Sequence, residues 1–397
     1  MSDDSLLKYL KIRSFKSILD QTIELGLVNV FIGANGSGKS NILEALGVLS
    51  AAAFGRVDDE SLMRRGVRPG VPRLYKSSFP GSRIPPFIVF EAGIDDSSYS
   101  VSLNNPLDKP RPAWLFNTHN LKSSGWSYTR GPRKGKNSEY SEVASELAKH
   151  DDSDPAVKLI SILRDYAIYS PNTTMLRGLV SDPQTREPVG LGGGSLADAV
   201  KELQNAAGKI SFLKEAVAET VDMIDWIKDF DISSTVENIL APSVARPKNV
   251  LRFRDRYMRT GNNTLTAHDA SEGVLYVLFC AVLALLPNAP KCSAIDNLDH
   301  ALNPRLLTRL IEAMCRWIVT NPVPRQLLFT AHNPAVLDGL PLKDDRVRIF
   351  AVDRNSEGNT VITRVKITEE LWSLAKDKGW PLSHLWVMGH LGGVPNV

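Results

Sequence analysis

The chain has 397 residues, of which 43% are apolar and 23% are charged, and its formal net charge is +3. This length allows two domains or one large domain with an insertion, and the composition is ordinary for a soluble globular protein. Because the net charge is so small, a general electrostatic attraction to nucleic acid is excluded, although a local basic patch remains possible.

The cysteines and the apolar runs predict the compartment. Cys280, Cys292 and Cys315 lack the spacing of a metal site or a disulfide framework, which favours a reducing, cytoplasmic setting. The acidic, polar first residues are unlike a secretion signal. The longest apolar run, residues 274–286, is shorter than the roughly 20 residues that a membrane helix needs. We therefore expect a cytoplasmic protein with no membrane partner.

The first 55 residues predict strands, a glycine-rich turn and a helix. Residues 7–25 read as two strands with a turn, and residues 27–32 form an apolar run typical of a buried central strand. A helix with an apolar face is predicted from Asn41 onward. The turn between strand and helix consists of Gly33, Ala34, Asn35, Gly36, Ser37, Gly38, Lys39 and Ser40.

That turn, here called the phosphate loop, matches the pattern G-x-x-x-x-G-K-[ST] in the strand–turn–helix context that the pattern requires. Its glycines let backbone N–H groups converge on phosphate oxygens, and the helix N-terminus adds positive potential. We expect Lys39 to reach the β- and γ-phosphates of ATP and the Ser40 hydroxyl to bind Mg²⁺. A chance glycine-rich turn is the alternative, which the flanking elements disfavour.

Residues 56–140 are rich in Pro, Gly and Ser. Short β-like pieces at residues 85–91 and 99–103 predict antiparallel strands. The basic stretch 128–136 predicts a solvated loop, with nucleic-acid contact as the less favoured alternative.

Residues 141–240 predict a mostly helical region without an internal repeat. No sustained heptad pattern runs through it, so a long coiled-coil arm is excluded. The predicted helical blocks are residues 142–149, 156–166 and 195–230.

Residues 249–365 predict alternating strands and helices. The first strand, 249–259, places arginines on one face, where pairing with acidic neighbours is favoured over contact with DNA. Those arginines are Arg252, Arg254, Arg256 and Arg259. The further elements are a buried helix after Gly273, strands at 291–296 and 325–330, a helix at 302–319, and a hairpin of 347–352 with 360–365.

Several polar segments lie at the ends of these elements. Ser271 and Gly273 begin the apolar helix, where a hydroxyl and N–H groups can meet a phosphate, although a capping turn is the simpler interpretation. Asp296 ends a buried strand, as do acids that bind Mg²⁺ near a phosphate loop, although a turn residue is the alternative. Asn303 precedes a helix, and His332 follows the next strand.

Taken in order, these segments resemble the ABC-type ATPase head of the RecF and structural-maintenance-of-chromosomes (SMC) proteins. The resemblance is strongest to stand-alone predicted ATPases that have a split head and a short helical insertion. Residues 15–17, Asn41 and the glycine-rich stretch 190–198 fit that group as well. The resemblance implies an α/β P-loop NTPase fold with a mixed sheet and an antiparallel β lobe. It also implies ATP with Mg²⁺, and a homodimer or higher oligomer with ATP between the heads.

The resemblance assigns roles to individual residues. Asp296 corresponds to the Walker B acid, His332 to the switch histidine, Asn303 to the D-loop, and Ser271 with Gly273 to the signature that contacts a partner's γ-phosphate. No glutamine is assigned to the Q-loop. The implied nucleotide-binding residues are Gly33, Asn35, Gly36, Ser37, Gly38, Lys39, Ser40, Asn41, Ser271 and Gly273, the metal ligands are Ser40 and Asp296, and the catalytic residues are Asn297 and His332.

Asn297 departs from the family, which has Glu after the Walker B acid to polarise the attacking water. Asn can orient water but cannot act as a base, so it is uncertain whether the chain is an efficient ATPase. Either hydrolysis is slow and ATP holds a long-lived closed state, which we favour, or another acid such as Glu272 or Asp299 substitutes.

The predicted organisation has an N-terminal head lobe at 1–55, a β-rich lobe at 56–140, a helical insertion at 141–240, a C-terminal head lobe at 241–350 and a hairpin with a docking tail at 351–397. Overcoming-lysogenization-type nucleases resemble this head but append a Toprim nuclease. Here the tail contains no cluster of acids for a metal nuclease. His384 and His390 have no third ligand nearby, which disfavours a metal site.

These features favour an ATPase sensor or scaffold in bacterial anti-phage defence that controls a separately encoded nuclease or toxin. The alternative is a RecF-like ATPase that binds DNA in repair or recombination. A transporter motor is disfavoured because the strand layout and the insertion fit it poorly.

Overall fold

A computed structural model describes residues 6–131, 138–234, 240, 248–341, 343–368, 373 and 377–389. His390, most of the predicted helix at 369–376 and residues 132–136 of the basic stretch lie outside the described residues. The strands are β1 (Tyr9–Phe15), β2 (Ile18–Glu24), β3 (Val28–Ile32), β4 (Ile88–Ile94), β5 (Ser97–Asn104), β6 (Leu115–Ser123), β7 (Trp126–Arg130), β8 (Ile168–Tyr169), β9 (Ile227–Ser233), β10 (Val250–Asp255), β11 (Thr264–Thr266), β12 (Cys292–Ile295), β13 (Gln326–Ala331), β14 (Val347–Arg354) and β15 (Thr360–Val365).

Groups of helices separate groups of strands along the chain. They are α1 (Lys39–Phe54), α2 (Asp59–Met63), α3 (Pro72–Tyr75), α4 (Val143–Leu147), α5 (Pro155–Asp165), α6 (Thr173–Leu176), α7 (Leu196–Ala207), α8 (Ser211–Asp222), α9 (Glu272–Leu285), α10 (Pro304–Thr320) and α11 (Leu382–Val387), with a 3₁₀ helix at Pro334–Gly339. Among the described residues, none of these helices has the length and apolarity to cross a membrane.

The central sheet has six strands in the order β15-β14-β3-β13-β12-β8. Strands β14, β3, β13, β12 and β8 are parallel, and β15 is antiparallel to β14. All five residues of β3 are buried, as expected for a central parallel strand that is covered on both faces of its sheet. The carboxyl ends of β3, β12 and β13 therefore meet at one edge, where ligands bind in open α/β sheets.

The second sheet is antiparallel, in the order β2-β1-β4-β5-β6-β7. Its inner face packs on α1, and Phe15 contacts Tyr75 and Phe90 edge-on there, with ring centroids 5.8 and 5.2 Å away. Because β1 pairs with β4, this sheet joins the N-terminal segment to residues 56–140.

Helix α9 lies in the core on the other side of the central sheet. It is buried from Val274 to Leu285, because it is apolar on all sides and must be enclosed by neighbours. Helices α7, α8 and α10 pack against it. The apolar segment at 274–286 is thus a core helix, as its length predicts.

Two stretches differ from the sequence-based expectations. Helix was predicted through residue 230, but α8 ends at Asp222 and β9 begins at Ile227, where the segment pairs antiparallel with β10. The basic stretch was predicted to be a loop, but its first residues belong to β7, which pairs with β6 and holds Arg130 in an ion pair with Glu142.

Candidate functional site

The phosphate loop needs glycine at two positions for different reasons. Gly38 has φ +109, and a Cβ there would lie 2.2 Å from the Thr360 hydroxyl oxygen and 2.8 Å from that of Ser17. Gly33 adjoins β14, and a Cβ there would lie 2.1 Å from the Val352 carbonyl oxygen. Neither position has room for a side chain.

A chain of hydrogen bonds holds the loop from the side. Asn41 Nδ2 donates to Ser17 Oγ at 2.8 Å, and the Ser17 and Thr360 hydroxyls are 2.7 Å apart. Thr360 Oγ1 donates to the carbonyl oxygen of Ser37, also at 2.7 Å. Since each hydroxyl has one proton, Ser17 must donate to Thr360. This chain links three separate segments and orients the backbone of the loop.

The tip of the loop is exposed at Asn35 and Gly36. Arg354, at the end of β14, donates from Nε to the Gly36 carbonyl oxygen at 3.0 Å. The Ser37 hydroxyl is buried and has no hydrogen-bond partner among the described residues. An unpaired buried hydroxyl is costly, so this atom is well suited to a ligand in the loop.

Lys39 begins α1 and is only 4% exposed. Its Nζ donates to the carbonyl oxygens of Gly33 and Ala34, both at 2.8 Å, and lies 3.1 Å from His332 Nδ1. Burial lowers the pKa of Lys39 to about 8, although Asp296 and Asp299 oppose the shift. The ammonium group is therefore positioned and charged at neutral pH.

Asp296 follows β12 and faces the phosphate loop. Its Oδ1 accepts hydrogen bonds from Ser40 Oγ at 3.0 Å and from Thr330 Oγ1 at 2.6 Å. A carboxylate next to a hydroxyl at the edge of a parallel sheet is the donor set that a hard divalent cation prefers. The sequence-predicted pair of Ser40 and Asp296 is thus brought together.

Asn297 and His332 also meet. His332 Nε2 lies 3.0 Å from Asn297 Oδ1, so the imidazole bridges Asn297 and Lys39. Burial, reinforced by the charge of Lys39, lowers the pKa of His332 and favours the neutral ring. Asn297 has φ +54, a left-handed conformation that asparagine tolerates, and its N–H donates to Thr330 Oγ1 at 2.8 Å.

The two acids considered as substitutes for a catalytic glutamate each use one carboxylate oxygen in hydrogen bonds, and Asp299 Oδ1 has no partner among the described residues. Asp299 Oδ2 accepts from the backbone N–H groups of His332 and Asn333 at 2.9 and 2.6 Å, and this carboxylate shapes the switch segment. Glu272 accepts a hydrogen bond from the Thr173 hydroxyl at the start of α9.

Ser271 is the exposed N-cap of α9, and Gly273 lies in its first turn. Two hydrogen bonds connect this turn to residues 171–177. The Tyr276 hydroxyl donates to the Pro171 carbonyl oxygen at 2.7 Å, and the Arg177 side chain donates to the Ala270 carbonyl oxygen at 3.1 Å. In the part of the chain that the structure describes, none of these hydrogen bonds joins the turn to the phosphate loop. Asn303 caps α10, accepting from the Leu306 N–H at 3.0 Å.

A cavity of about 490 Å³ adjoins the phosphate loop on the side of Ser17 and Asn41. Lys16 and Arg68 line it, and both bind the buried carboxylate of Glu44, Arg68 Nε at 2.6 Å. Burial opposes ionisation of Glu44, but Arg68 and Lys16 outweigh it and hold its pKa below the usual value. The cavity has room and positive charge for the remainder of a nucleotide.

These residues fit ATP with a divalent cation. The loop has no room for side chains at Gly33 and Gly38, its lysine is in place, and the Ser37 hydroxyl lacks a partner. Ser40 and Asp296 provide hard oxygen ligands. Asn35, Gly36, Ser37, Gly38, Lys39 and Ser40 would surround the phosphates, as the motif predicts.

Three contributing residues were missed by the sequence analysis. Thr330 lies in β13, two residues before His332, which follows the strand. Because side chains two residues apart in an extended chain project to the same side, this spacing could have revealed Thr330. Thr360 and Arg354 reach the loop because β14 and β15 extend the sheet beside β3. No local signal in the sequence marks either residue.

Two other candidate sites receive no support. No group of three or more His, Cys, Asp or Glu side chains in the described residues could hold a metal ion, and His384 lies against Trp380. Arg252 and Arg254 form ion pairs with Asp231, and Arg254 also pairs with Asp229. Because Asp229 and Asp231 of β9 pair with Arg252 and Arg254, these two arginines are not unpaired charges.

Comparisons with known proteins show the family and the fold. Residues 28–338 match the model of a family described as "AAA domain, putative AbiEii toxin, Type IV TA system". A search of curated proteins finds no match.

Solved structures of SMC heads share the fold. An SMC head bound to the C-terminal winged-helix domain of ScpA is 13% identical, with a TM-score of 0.53, and the match covers 91% of this chain and 98% of that one. The head from Pyrococcus furiosus with an extended coiled coil, bound to the C-terminal domain of ScpA, is 12% identical with a TM-score of 0.51 over 94% and 99% of the two chains. The chain has the ABC/SMC-like P-loop fold, and it belongs to this family of AAA domains.

Proposed function

We propose that this chain is a slowly hydrolysing ATPase that uses ATP to hold a closed homodimer and so controls a separately encoded effector. The main support for the proposal is the set of contacts around Lys39 and Asp296, which brings the phosphate loop, the candidate metal ligands and the switch histidine together. Mg²⁺ bound there would neutralise charge on the phosphates.

The residues that face the terminal phosphate support slow rather than fast hydrolysis. Asn297 stands at the position of the usual catalytic glutamate and cannot accept a proton from water. Asp299 Oδ2 is bound to the backbone of the switch segment, and Glu272 is bound to Thr173. His332 is held neutral between Lys39 and Asn297. The site therefore binds and orients the phosphates without a base at the usual catalytic position.

A dimer is supported by the position of the signature turn. Ser271 is exposed at the N-terminus of α9, where helix N–H groups favour an anion, yet its turn makes no hydrogen bond to the phosphate loop within the described residues. A second copy would bring this turn to a bound nucleotide. The family description names a putative toxin of a type IV TA system, and such two-component systems support a separately encoded partner. Defence against phage, with a nuclease or toxin as effector, is our extension of that description.

Binding and turnover test the ATPase part. We expect Mg-ATP binding that Lys39→Ala or Asp296→Ala lowers by at least about tenfold, the loss of one charge-assisted contact. Steady-state turnover should be far below about 1 s⁻¹. Turnover at or above that rate would refute slow hydrolysis.

Co-expression with the product of the neighbouring gene tests the effector part. We expect the two proteins to co-purify with ATP and to protect cells from phage, and we expect Ser271→Arg to abolish protection while leaving ATP binding by the single chain intact. Failure to co-purify together with failure to protect would count against the defence role.

A further inference from the structure

The hydrogen bonds from Lys39 through His332 to Asn297 run in one direction. A lysine ammonium can only donate, so His332 Nδ1, 3.1 Å from Lys39 Nζ, must accept. A neutral imidazole that accepts at Nδ1 carries its proton on Nε2. This Nε2–H lies 3.0 Å from Asn297 Oδ1 and therefore donates to the amide oxygen.

This direction determines how the Asn297 amide is turned. Because Oδ1 faces the imidazole, the NH₂ group points away from His332. Its backbone is also held, since the Asn297 N–H donates to Thr330 Oγ1 at 2.8 Å and the buried Thr330 in turn donates to Asp296. Within the described residues, no hydrogen bond uses the Asn297 NH₂ group, and the side chain is exposed.

We propose that Asn297 donates a hydrogen bond to the terminal phosphate of ATP and so distinguishes ATP from ADP. The inference rests on the proposed function, because it requires ATP in the phosphate loop. Phosphate oxygens only accept, and an amide NH₂ beside the metal-binding Asp296 gives them a donor, whereas a carboxylate would repel them. Asn297 is then a phosphate-binding residue, and His332 is a positioning residue that keeps the amide turned.

Equilibrium binding of the full chain to AMP-PNP and to ADP, both with Mg²⁺, tests the inference. We expect Asn297→Ala to weaken AMP-PNP binding by at least about tenfold, as for a charge-assisted hydrogen bond. ADP binding should change by less than about twofold, which also shows that the variant is folded. Asn262→Ala, an exposed asparagine in the turn between β10 and β11, serves as the control and should change neither.

The positioning role is tested by a double-mutant cycle. His332→Ala should weaken AMP-PNP binding, and adding Asn297→Ala should weaken it less than the single effects predict together, because both substitutions remove the same contact. His332→Gln can still donate to Asn297 Oδ1 and should restore part of the affinity.

The outcomes separate this inference from the proposed function. Wild-type protein that binds both nucleotides, with Asn297→Ala lowering both affinities equally or neither, overturns the inference and leaves the ATP site standing. Additive losses in the double mutant overturn the positioning role of His332. Wild-type protein that binds neither nucleotide overturns both.

Discussion

Thr330→Val tests whether one buried hydroxyl organises the metal-binding edge of the site. Thr330 is completely buried, donates to Asp296 Oδ1 at 2.6 Å and accepts from the Asn297 N–H at 2.8 Å. Valine has nearly the same shape but makes neither bond. The lost bond to a carboxylate costs about 1.5–3 kcal/mol, and the unpaired N–H costs about 1–3 kcal/mol. We expect the free energy of unfolding to fall by about 3–5 kcal/mol.

Urea unfolding and Mg-ATP binding together measure the effect. Thr330→Ser keeps the hydroxyl and should lose only about 1 kcal/mol for its missing methyl group, with ATP affinity retained. Thr220→Val is the matched control, because Thr220 is 1% exposed and, among the described residues, its hydroxyl bonds only the Ala216 carbonyl within α8. A Thr330→Val variant as stable as Thr220→Val, with ATP affinity unchanged, would refute the role assigned to this hydroxyl.

Three further predictions concern other parts of the molecule. Gly38→Ala should abolish ATP binding because its Cβ would collide with Thr360. Gly36 has φ +78 but no atom within 4 Å of a Cβ, so Gly36→Ala should cost only about 1–2 kcal/mol of stability. If the two variants changed ATP binding and melting temperature equally, this explanation would be wrong. Burial, followed by the charge of Arg130, lowers the pKa of His119 to about 4 in the folded protein. Because the unfolded chain therefore binds a proton at a higher pH than the folded protein does, the free energy of unfolding should fall by up to about 3 kcal/mol as the pH drops from 6.5 to 4. His119→Gln should flatten this decline in urea unfolding, and an unchanged decline would argue against His119 as its cause. Arg254→Ala should leave the salt dependence of any DNA binding unchanged, because Arg254 is already paired with Asp229 and Asp231. The measurement is the slope of log affinity against log salt concentration in fluorescence anisotropy titrations, and a slope smaller in magnitude by about one would instead indicate a phosphate contact.

The parts of the fold that sequence predicts well are those specified by neighbouring residues. The phosphate loop is contiguous, and its glycines and lysine carry their own conformational and chemical signal. The buried helix α9 is marked by its unbroken apolar run. The order of these elements was enough to predict an ABC/SMC-like head, which the family match and the SMC-head fold confirm.

Long-range pairing was harder to predict. Residues 227–230 continue an apolar spacing that suits a helix, but β10 offers a strand partner, and tertiary pairing outweighs the local preference. Thr360 contacts the phosphate loop because β15 extends the sheet, a placement that depends on topology rather than on adjacent residues. The orientation of the Asn297 amide likewise depends on His332, which lies 35 residues further along the chain.

Molar mass measured by light scattering, with Mg²⁺ and either ATP or ADP, tests most directly whether ATP holds this chain in a closed assembly. We expect ATP to double the mass and the dimer to persist for minutes, because turnover is slow, while ADP leaves a monomer. The Ser271→Arg chain should bind ATP and remain monomeric. A mass that is the same with ATP and with ADP would contradict ATP-held assembly.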